Sequence, residues 1–202
     1  MVRFLKKEEY GLTRPLNELC FPDPEFSRMY YDEGLVDKSR IVVKEADGRI
    51  VAEAHAAMRL LWYRALETPG QRTDQKAEAW GKRTAAGASE RAGGSPLAAQ
   101  ENGLYAVEAP YIFCVATHPE YRHRGYMDEV LGLLLEAFQK EGIPFAFLVP
   151  VDTKIYRHLG FVHDWTFGAG EADLLYADDG LSTCSARLLC AEAFAPPVKI
   201  TE

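Results

Sequence analysis

Cysteine is scarce in this chain, and the four that occur, Cys20, Cys114, Cys184 and Cys190, lie far apart. No C-x-x-C pair and no Cys/His cluster at zinc-ligand spacing is present, so no metal site is expected. Positive charge is in deficit: 23 Lys and Arg against 30 Asp and Glu leave a formal charge of -7. A chain-wide basic field able to hold nucleic acid or an anionic lipid surface is thereby excluded, and any anion site must be local. No run approaches the ~20 apolar residues of a membrane span. Residues 1–9 put charge where a signal peptide needs its apolar stretch, so a soluble cytoplasmic protein with reduced thiols is expected. The apolar fraction of 48% in 202 residues is enough for one real core with an appendage.

Between Pro69 and Gly103 the apolar residues also run out. Trp80 and Leu97 are the only large ones, and Val, Ile, Phe and Tyr are absent. Such a composition buries too little surface to offset the entropy of ordering, so residues 69–103 read as a flexible low-complexity insertion between two strands.

On either side of it the pattern is regular. Val2 to Leu5 reads as an opening strand. Thr13 is positioned to cap a helix carrying Leu16, Leu19, Cys20 and Phe21 inward, and Pro24 to Tyr31 reads as a second short helix burying Phe26, Met29 and Tyr30. Arg40 to Ala46, the pair Asp47-Gly48 and Arg49 to Tyr63 form a hairpin signal. Tyr105 to Ala116 ends in an apolar run that fits a buried central strand. A helix follows with Met127, Val130, Leu131, Leu134, Leu135 and Phe138 on one stripe; Gly142 and Pro144 stop it. Phe145 to Val149 is again apolar, so strand, helix and strand imply a right-handed parallel crossover. Asp152 or Thr153 can cap a short helix through Leu159 that Gly160 ends, and Phe161 to Phe167 and Ala172 to Tyr176 supply two more strands.

The chemistry concentrates where the buried strand passes into the long helix, Val115-Ala116-Thr117-His118-Pro119-Glu120-Tyr121-Arg122-His123-Arg124-Gly125-Tyr126-Met127. Backbone N–H groups at a helix start lack partners and carry the positive end of the helix dipole. Arg122 and Arg124 add full charges, and Gly125 lets backbone approach a ligand with no Cβ in the way. A diphosphate suits such a turn. The pattern is neither G-x-x-x-x-G-K-[ST] nor G-x-G-x-x-G, which argues against nucleotide hydrolysis and dinucleotide binding.

Arg122 to Met127 resembles motif A of the GNAT superfamily of N-acetyltransferases, [QR]-x-x-G-x-[GA], in every slot but the last, where Met127 stands in place of a small residue. Its position on the apolar stripe implies that the Met127 side chain turns into the core. Ile155-Tyr156-Arg157-His158-Leu159-Gly160-Phe161 is similar to the [LF]-Y-x-x-x-G-F element that follows the next strand in that superfamily. Within it, Gly125-x-Met127, the Val115-Ala116-Thr117 step and residues 150–161 resemble the branch typified by the mycobacterial enhanced-intracellular-survival acetyltransferases. Members of that branch often carry a further carboxy-terminal domain, and only a remnant is expected after Tyr176.

The resemblance implies an α+β fold of three layers, with a mixed, mostly antiparallel central sheet, one parallel splayed strand pair, and flanking helices. Residues 1–68 and 104–176 are the expected acetyl-CoA-binding domain, with 177–202 a carboxy-terminal extension. It further implies acetyl-CoA as co-substrate in the splay, its pantetheine arm pairing with Val115, Ala116 and Thr117, and its pyrophosphate on the backbone of Arg122, His123, Arg124, Gly125, Tyr126 and Met127. Tyr156 matches the tyrosine that such enzymes use to protonate the departing thiolate; packing against Phe161 is the other reading of this residue. The acceptor is expected to be a small-molecule amine or a protein lysine, attacking directly in a ternary complex, and the superfamily's habit of self-association makes a homo-oligomer an expectation. A catalytically inactive CoA-binding sensor or scaffold is the alternative.

No general base stands out. The central-strand slot used by some of these enzymes holds Tyr111, leaving Glu108, Glu53, His55 and the terminal carboxylate at Glu202 as candidates beside a chain of waters. His118 reads as part of a connector and His123 as a solvent-facing loop residue. Cys114, inside an apolar run, reads as an unreactive thiol rather than an acyl carrier. Tyr30 and Tyr31 belong either to the acceptor wall or to the core.

Overall fold

Asp47 and Gly48 take φ of 51° and 74°, the positive pair that a type I′ turn demands. They fold strand β2 (Ser39–Ala46) back on the long β3 (Arg49–Ala65), with Ala46 opposite Arg49. This hairpin anchors the sheet seen in the computed structural model, which describes residues 1–65, 100–101, 104–143, 145–163, 166–168, 172–175, 185–189 and 199–201. The proposed insertion lies outside the described residues except for β4 (Gln100–Glu101).

β1 (Val2–Phe4) adds to the outer side of β2, and β5 (Leu104–Thr117) runs antiparallel along the whole inner side of β3. Next to β5 comes β6 (Phe145–Leu148), the parallel partner, paired only at Tyr111↔Phe147 and Ile112↔Leu148. The short strands β7 (Val162–His163), β8 (Thr166–Gly168), β9 (Ala172–Leu175), β10 (Ser185–Leu188) and β11 (Lys199–Thr201) complete an order β11-β8-β9-β3-β5-β6-β10-β7. Every described pairing except β5–β6 is antiparallel. Of the stretch read as a strand over 161–167, the described residues form β7 and the start of β8, and β10 and β11, within the stretch read as an extension, pair into the same sheet.

Both faces of the sheet are covered. α3 (Tyr126–Lys140) lays Val130, Leu131, Leu134, Leu135 and Phe138, none above 2% exposed, on Val42, Ala52, Ala54, Ala56 and Ile112. The alanines of β3 leave room for the large helix side chains, and each buried Leu or Phe contributes about 1.5–3 kcal/mol. Gly142, at φ 72°, closes the helix in the left-handed conformation that suits it.

The opposite face carries the amino-terminal segments: α1 (Arg14–Cys20), the single turn α2 (Pro24–Ser27) and a π turn at Arg28–Asp32. Tyr10, Tyr30, Ile41 and Val43 make its core. Here the helix readings need correction. Leu19 is 52% and Met29 40% exposed, while Asn17 is fully buried. The wider turn at 28–32 rotates Tyr30 inward and Met29 out, and α1 presents Leu16 and Asn17 to the sheet where an apolar stripe would present Leu16 and Leu19.

Candidate active site

β5 outlasts its partner. Beyond Ile112 it has no pairing with β6, so Phe113 to Thr117 run along an opening wedge between the two parallel strands. A bulge makes the divergence. Glu53 pairs with Ala116 and His55 with Phe113, so Cys114 and Val115 together oppose Ala54, and Cys114 sits at φ 48°. A bulge bends a strand and sharpens its twist, which here turns β5 away from β6. Ala116 is buried, and Val115 and Thr117 are half-buried on this wall.

The connector then turns sharply. His118 Nδ1 accepts from the Glu120 amide at 3.3 Å, and a 3-10 turn runs Pro119–Tyr121. Tyr121 is buried and donates its hydroxyl proton to Asp47 at 2.6 Å, tying the connector to the hairpin; the Arg49 and Arg124 guanidiniums lie over its ring at 5.0 and 4.9 Å. His123 and Gly125 both adopt left-handed φ, 61° and 76°. Gly125 is the N-cap of α3 and offers no side-chain cap.

In consequence the N–H groups of His123, Arg124, Gly125, Tyr126, Met127 and Asp128 have no acceptor among the described residues; the first bond into the helix is from Glu129 to the Gly125 carbonyl at 3.1 Å. Alternating left- and right-handed residues ahead of a helix make an anion-binding concavity. Arg122 Nε donates to the Thr117 carbonyl at 3.3 Å and Arg124 to the Glu120 carbonyl at 3.1 Å, so both guanidiniums are steadied at the rim with donors to spare. Met127 packs against the core cluster, and leaves the turn uncrowded.

Across the wedge, β6 runs into α4 (Lys154–Arg157), whose first amide, Lys154 N–H, donates to the Asp152 carboxylate at 2.9 Å. Tyr156 on this turn packs edge-on against Phe161, ring centres 5.9 Å apart, and its hydroxyl has no partner among the described residues. Burial pushes its pKa up, so it stays protonated at neutral pH. His158 Nε2 meets Asp128 Oδ1 at 2.9 Å, joining the α4 segment to the first turn of α3. Sequence reading missed this pair, although a His and an Asp on the two motifs that flank one strand were its visible signal.

Of the base candidates, Glu108 is exposed at the outer part of β5, opposite Leu60, and Glu202 lies outside the described residues. Glu53 and His55 are fully buried beside Asn17 and Tyr30. Tyr30 is therefore a core residue; Tyr31 is half-buried, with Thr13 Oγ1 3.0 Å from its hydroxyl. His123 is exposed, as read. Burial drives the Cys114 thiol up to about 12, which leaves it un-ionised at neutral pH. Among the described residues no group of three or more metal-binding side chains comes together.

Residues 96–163 match the family model described as the GNAT acetyltransferase domain. The fold is that of the same class. A YhbS protein of Escherichia coli, a GNAT family N-acetyltransferase crystallised with CoA, superposes with a TM-score of 0.55 at 11% identity over 96% of this chain and 83% of its own. A conserved Enterococcus faecalis protein of unknown function, described as a "probable N-acyltransferase", gives 0.53 at 18% identity, covering 83% of this chain and 32% of its own. Eis1 of Mycobacterium abscessus gives 0.47 at 15% identity, over 83% and 32%. The chain thus spans about a third of the length of the Enterococcus protein. No curated protein matches. The family match covers about a third of the chain, and the fold is the one shared with the YhbS structure.

Proposed function

We propose that this protein is an acetyl-CoA-dependent N-acetyltransferase that moves an acetyl group to a primary amine by direct attack in a ternary complex. The observation that carries the reading is the run of unengaged amides from His123 to Asp128 at the mouth of the β5–β6 wedge. Those amides and the Arg122 and Arg124 side chains would hold the pyrophosphate, and the unpaired edge of β5 at Val115, Ala116 and Thr117 would pair with the amides of the pantetheine arm.

Acyl transfer passes through a tetrahedral intermediate and must expel a thiolate. Tyr156, protonated and with a free hydroxyl on the opposite wall, donates the proton to sulfur. Residues 1–68 and 104–176 form the working domain, of the enhanced-intracellular-survival type on the strength of Gly125-x-Met127 and residues 150–161. The acceptor is a small-molecule amine or a protein lysine; a formal charge of -7 favours a cationic one. The protein acts in the cytoplasm, and as a homo-oligomer in keeping with the superfamily's habit.

The test is a thiol-release assay over a panel of amines, with Tyr156→Phe beside the parent. A general acid of this kind contributes roughly 10²–10⁴ in rate, so kcat should fall by that range while acetyl-CoA binding is retained. Binding without turnover of any amine would instead identify a CoA-sensing scaffold, and unchanged turnover in the variant would remove Tyr156 from the role.

A further inference from the structure

Glu53 and His55 occupy alternate positions on β3, on the face covered by α1 and the π turn, and neither is accessible to solvent. Their neighbour Asn17, also at 0% exposure, donates from Nδ2 to Glu53 Oε1 at 3.2 Å. His55 Nδ1 lies 2.8 Å from the Tyr30 hydroxyl. After these bonds three buried polar atoms have no partner: Asn17 Oδ1, Glu53 Oε2 and His55 Nε2. A buried polar atom left unpaired costs about 1–3 kcal/mol, more if charged, so three in one cluster require an explanation.

The geometry supplies one. Glu53 Oε2 and His55 Nε2 are 3.7 Å apart, too long for a direct hydrogen bond and suited to a bridging water. The Tyr30 hydroxyl donates to Ser39 Oγ at 2.9 Å, so His55 Nδ1–H donates to the Tyr30 oxygen and Nε2 of the neutral ring is left as an acceptor. A water there donates one proton to Nε2 and the other to Glu53 Oε2, which leaves neither atom orphaned and joins carboxylate to imidazole. The cluster also sits beside the wall of the wedge, since Glu53 pairs with Ala116 and His55 with Phe113. Ala54, between Glu53 and His55, is the residue opposed by the Cys114–Val115 bulge.

We propose that Asn17, Glu53 and His55 hold water behind the bulge at Cys114, and that this hydrated carboxylate–imidazole pair receives the proton an acceptor ammonium must lose before it can attack. The inference rests on the acetyltransferase reading above. The substrate does not enter the pocket; the proton does, passing along water from R–NH3⁺ to the pair and later to solvent. The neutral amine then forms the C–N bond. As the C–S bond breaks, Tyr156 protonates the thiolate, and the second nitrogen proton restores the phenol through water, so one proton is released per amide formed.

The surrounding charges favour this role. The groups facing Glu53 are Asn17 and Cys20 from α1, Tyr30 and Tyr31 from the π turn, Cys114 from β5 and His55 from its own strand. Burial raises both tyrosines and both thiols above their ordinary values, so all four are neutral at neutral pH. Arg122 acts on Cys20; no Lys or Arg among the described residues is paired with Glu53. His55, with Nε2 3.7 Å from Glu53 Oε2, is the basic side chain that stands beside the carboxylate.

Two acceptors separate a proton-accepting role from a structural one: an alkylamine, protonated at neutral pH, and an arylamine of similar size, already neutral. In Glu53→Gln, which keeps the shape and the Asn17 contact, kcat/KM for the alkylamine should drop at least tenfold and that for the arylamine should stay within about twofold, with acetyl-CoA binding unchanged. Added formate should restore part of the alkylamine rate in Glu53→Ala. Equal losses on the two acceptors, or none on either, overturn the proposal. If Glu53→Gln does not fold, the same comparison on His55→Gln decides. A parent protein that acetylates neither amine removes the acetyltransferase reading itself, whereas a parent active on both with an indifferent Glu53→Gln removes only this inference.

Discussion

Cys114 is held at φ 48°, a region a non-glycine residue enters at a cost of about 1–2 kcal/mol. The bulge imposes it: two residues of β5 must fit opposite one of β3, and the extra length is taken up there. The thiol comes to rest near Asn17 and Glu53, where burial first, and the Glu53 charge in addition, drive its pKa from 9.0 to about 12. Two outcomes follow for this residue. At pH 8 only about one thiol in 10⁴ is ionised, so iodoacetamide should modify Cys114 in the folded protein orders of magnitude more slowly than in urea, and Cys114→Ala should keep amine acetylation within a few-fold. Because the folded value is the higher one, the unfolded chain ionises first. The residue's share of stability is therefore complete below pH 9 and lost as pH rises from 9 towards 12. Alkaline denaturation should begin at higher pH in Cys114→Ala than in the parent.

α3 joins the cradle to the core, since one end presents free amides and the other packs Phe138 at 0% exposure, with the Arg40 guanidinium 5.1 Å from its ring centre. Phe138→Ala should cost about 3–5 kcal/mol by urea denaturation. It should leave acetyl-CoA affinity nearly unchanged in the folded fraction, because the N-terminal turn is held separately by Tyr121, Asp47 and the Asp128–His158 contact. This helix was legible from its stripe, as were the Asp-Gly hairpin and the crossover, because each depends on a local period or a turn residue. The amino-terminal layer was less so. Leu19 and Met29 fit a helical stripe, but the π turn at Arg28–Asp32 and the burial of Asn17 follow from what the sheet beneath offers, namely Glu53. Glu53 and His55 form a polar row that alternates with Ala52, Ala54 and Ala56. Only the covering of both sheet faces turns that row inward, and no local pattern carries such information. The left-handed turn ahead of α3 was legible through Gly125, whereas the bulge at Cys114 leaves no mark in an unbroken apolar run.

Across the whole molecule the wedge divides the structure into two walls, β5 with α3 and β6 with α4. They meet at Tyr111↔Phe147, at Ile112↔Leu148 and at the exposed Asp128–His158 pair. A ligand lying in the wedge would touch both walls, and would bind the folded chain only, since the cradle amides converge nowhere in an unfolded one. Binding of that kind stabilises by about 2.7 kcal/mol at a ligand concentration a hundredfold above Kd. For a chain of this size each kcal/mol moves Tm by about 2–4 °C, so CoA at that excess should raise Tm by roughly 5–11 °C. The shift should shrink with added salt, because the Arg122 and Arg124 charges at the rim are solvent-exposed. It should persist in Tyr156→Phe, which leaves the amides from His123 to Asp128 unchanged. Inorganic phosphate alone should give a much smaller shift, because it has no pantetheine arm to pair with the open edge of β5. If CoA left Tm unmoved at any concentration, the amides from His123 to Asp128 would be a helix start and nothing more; a shift that phosphate reproduces in full would make the site a simple anion hole and leave the edge of β5 without a partner.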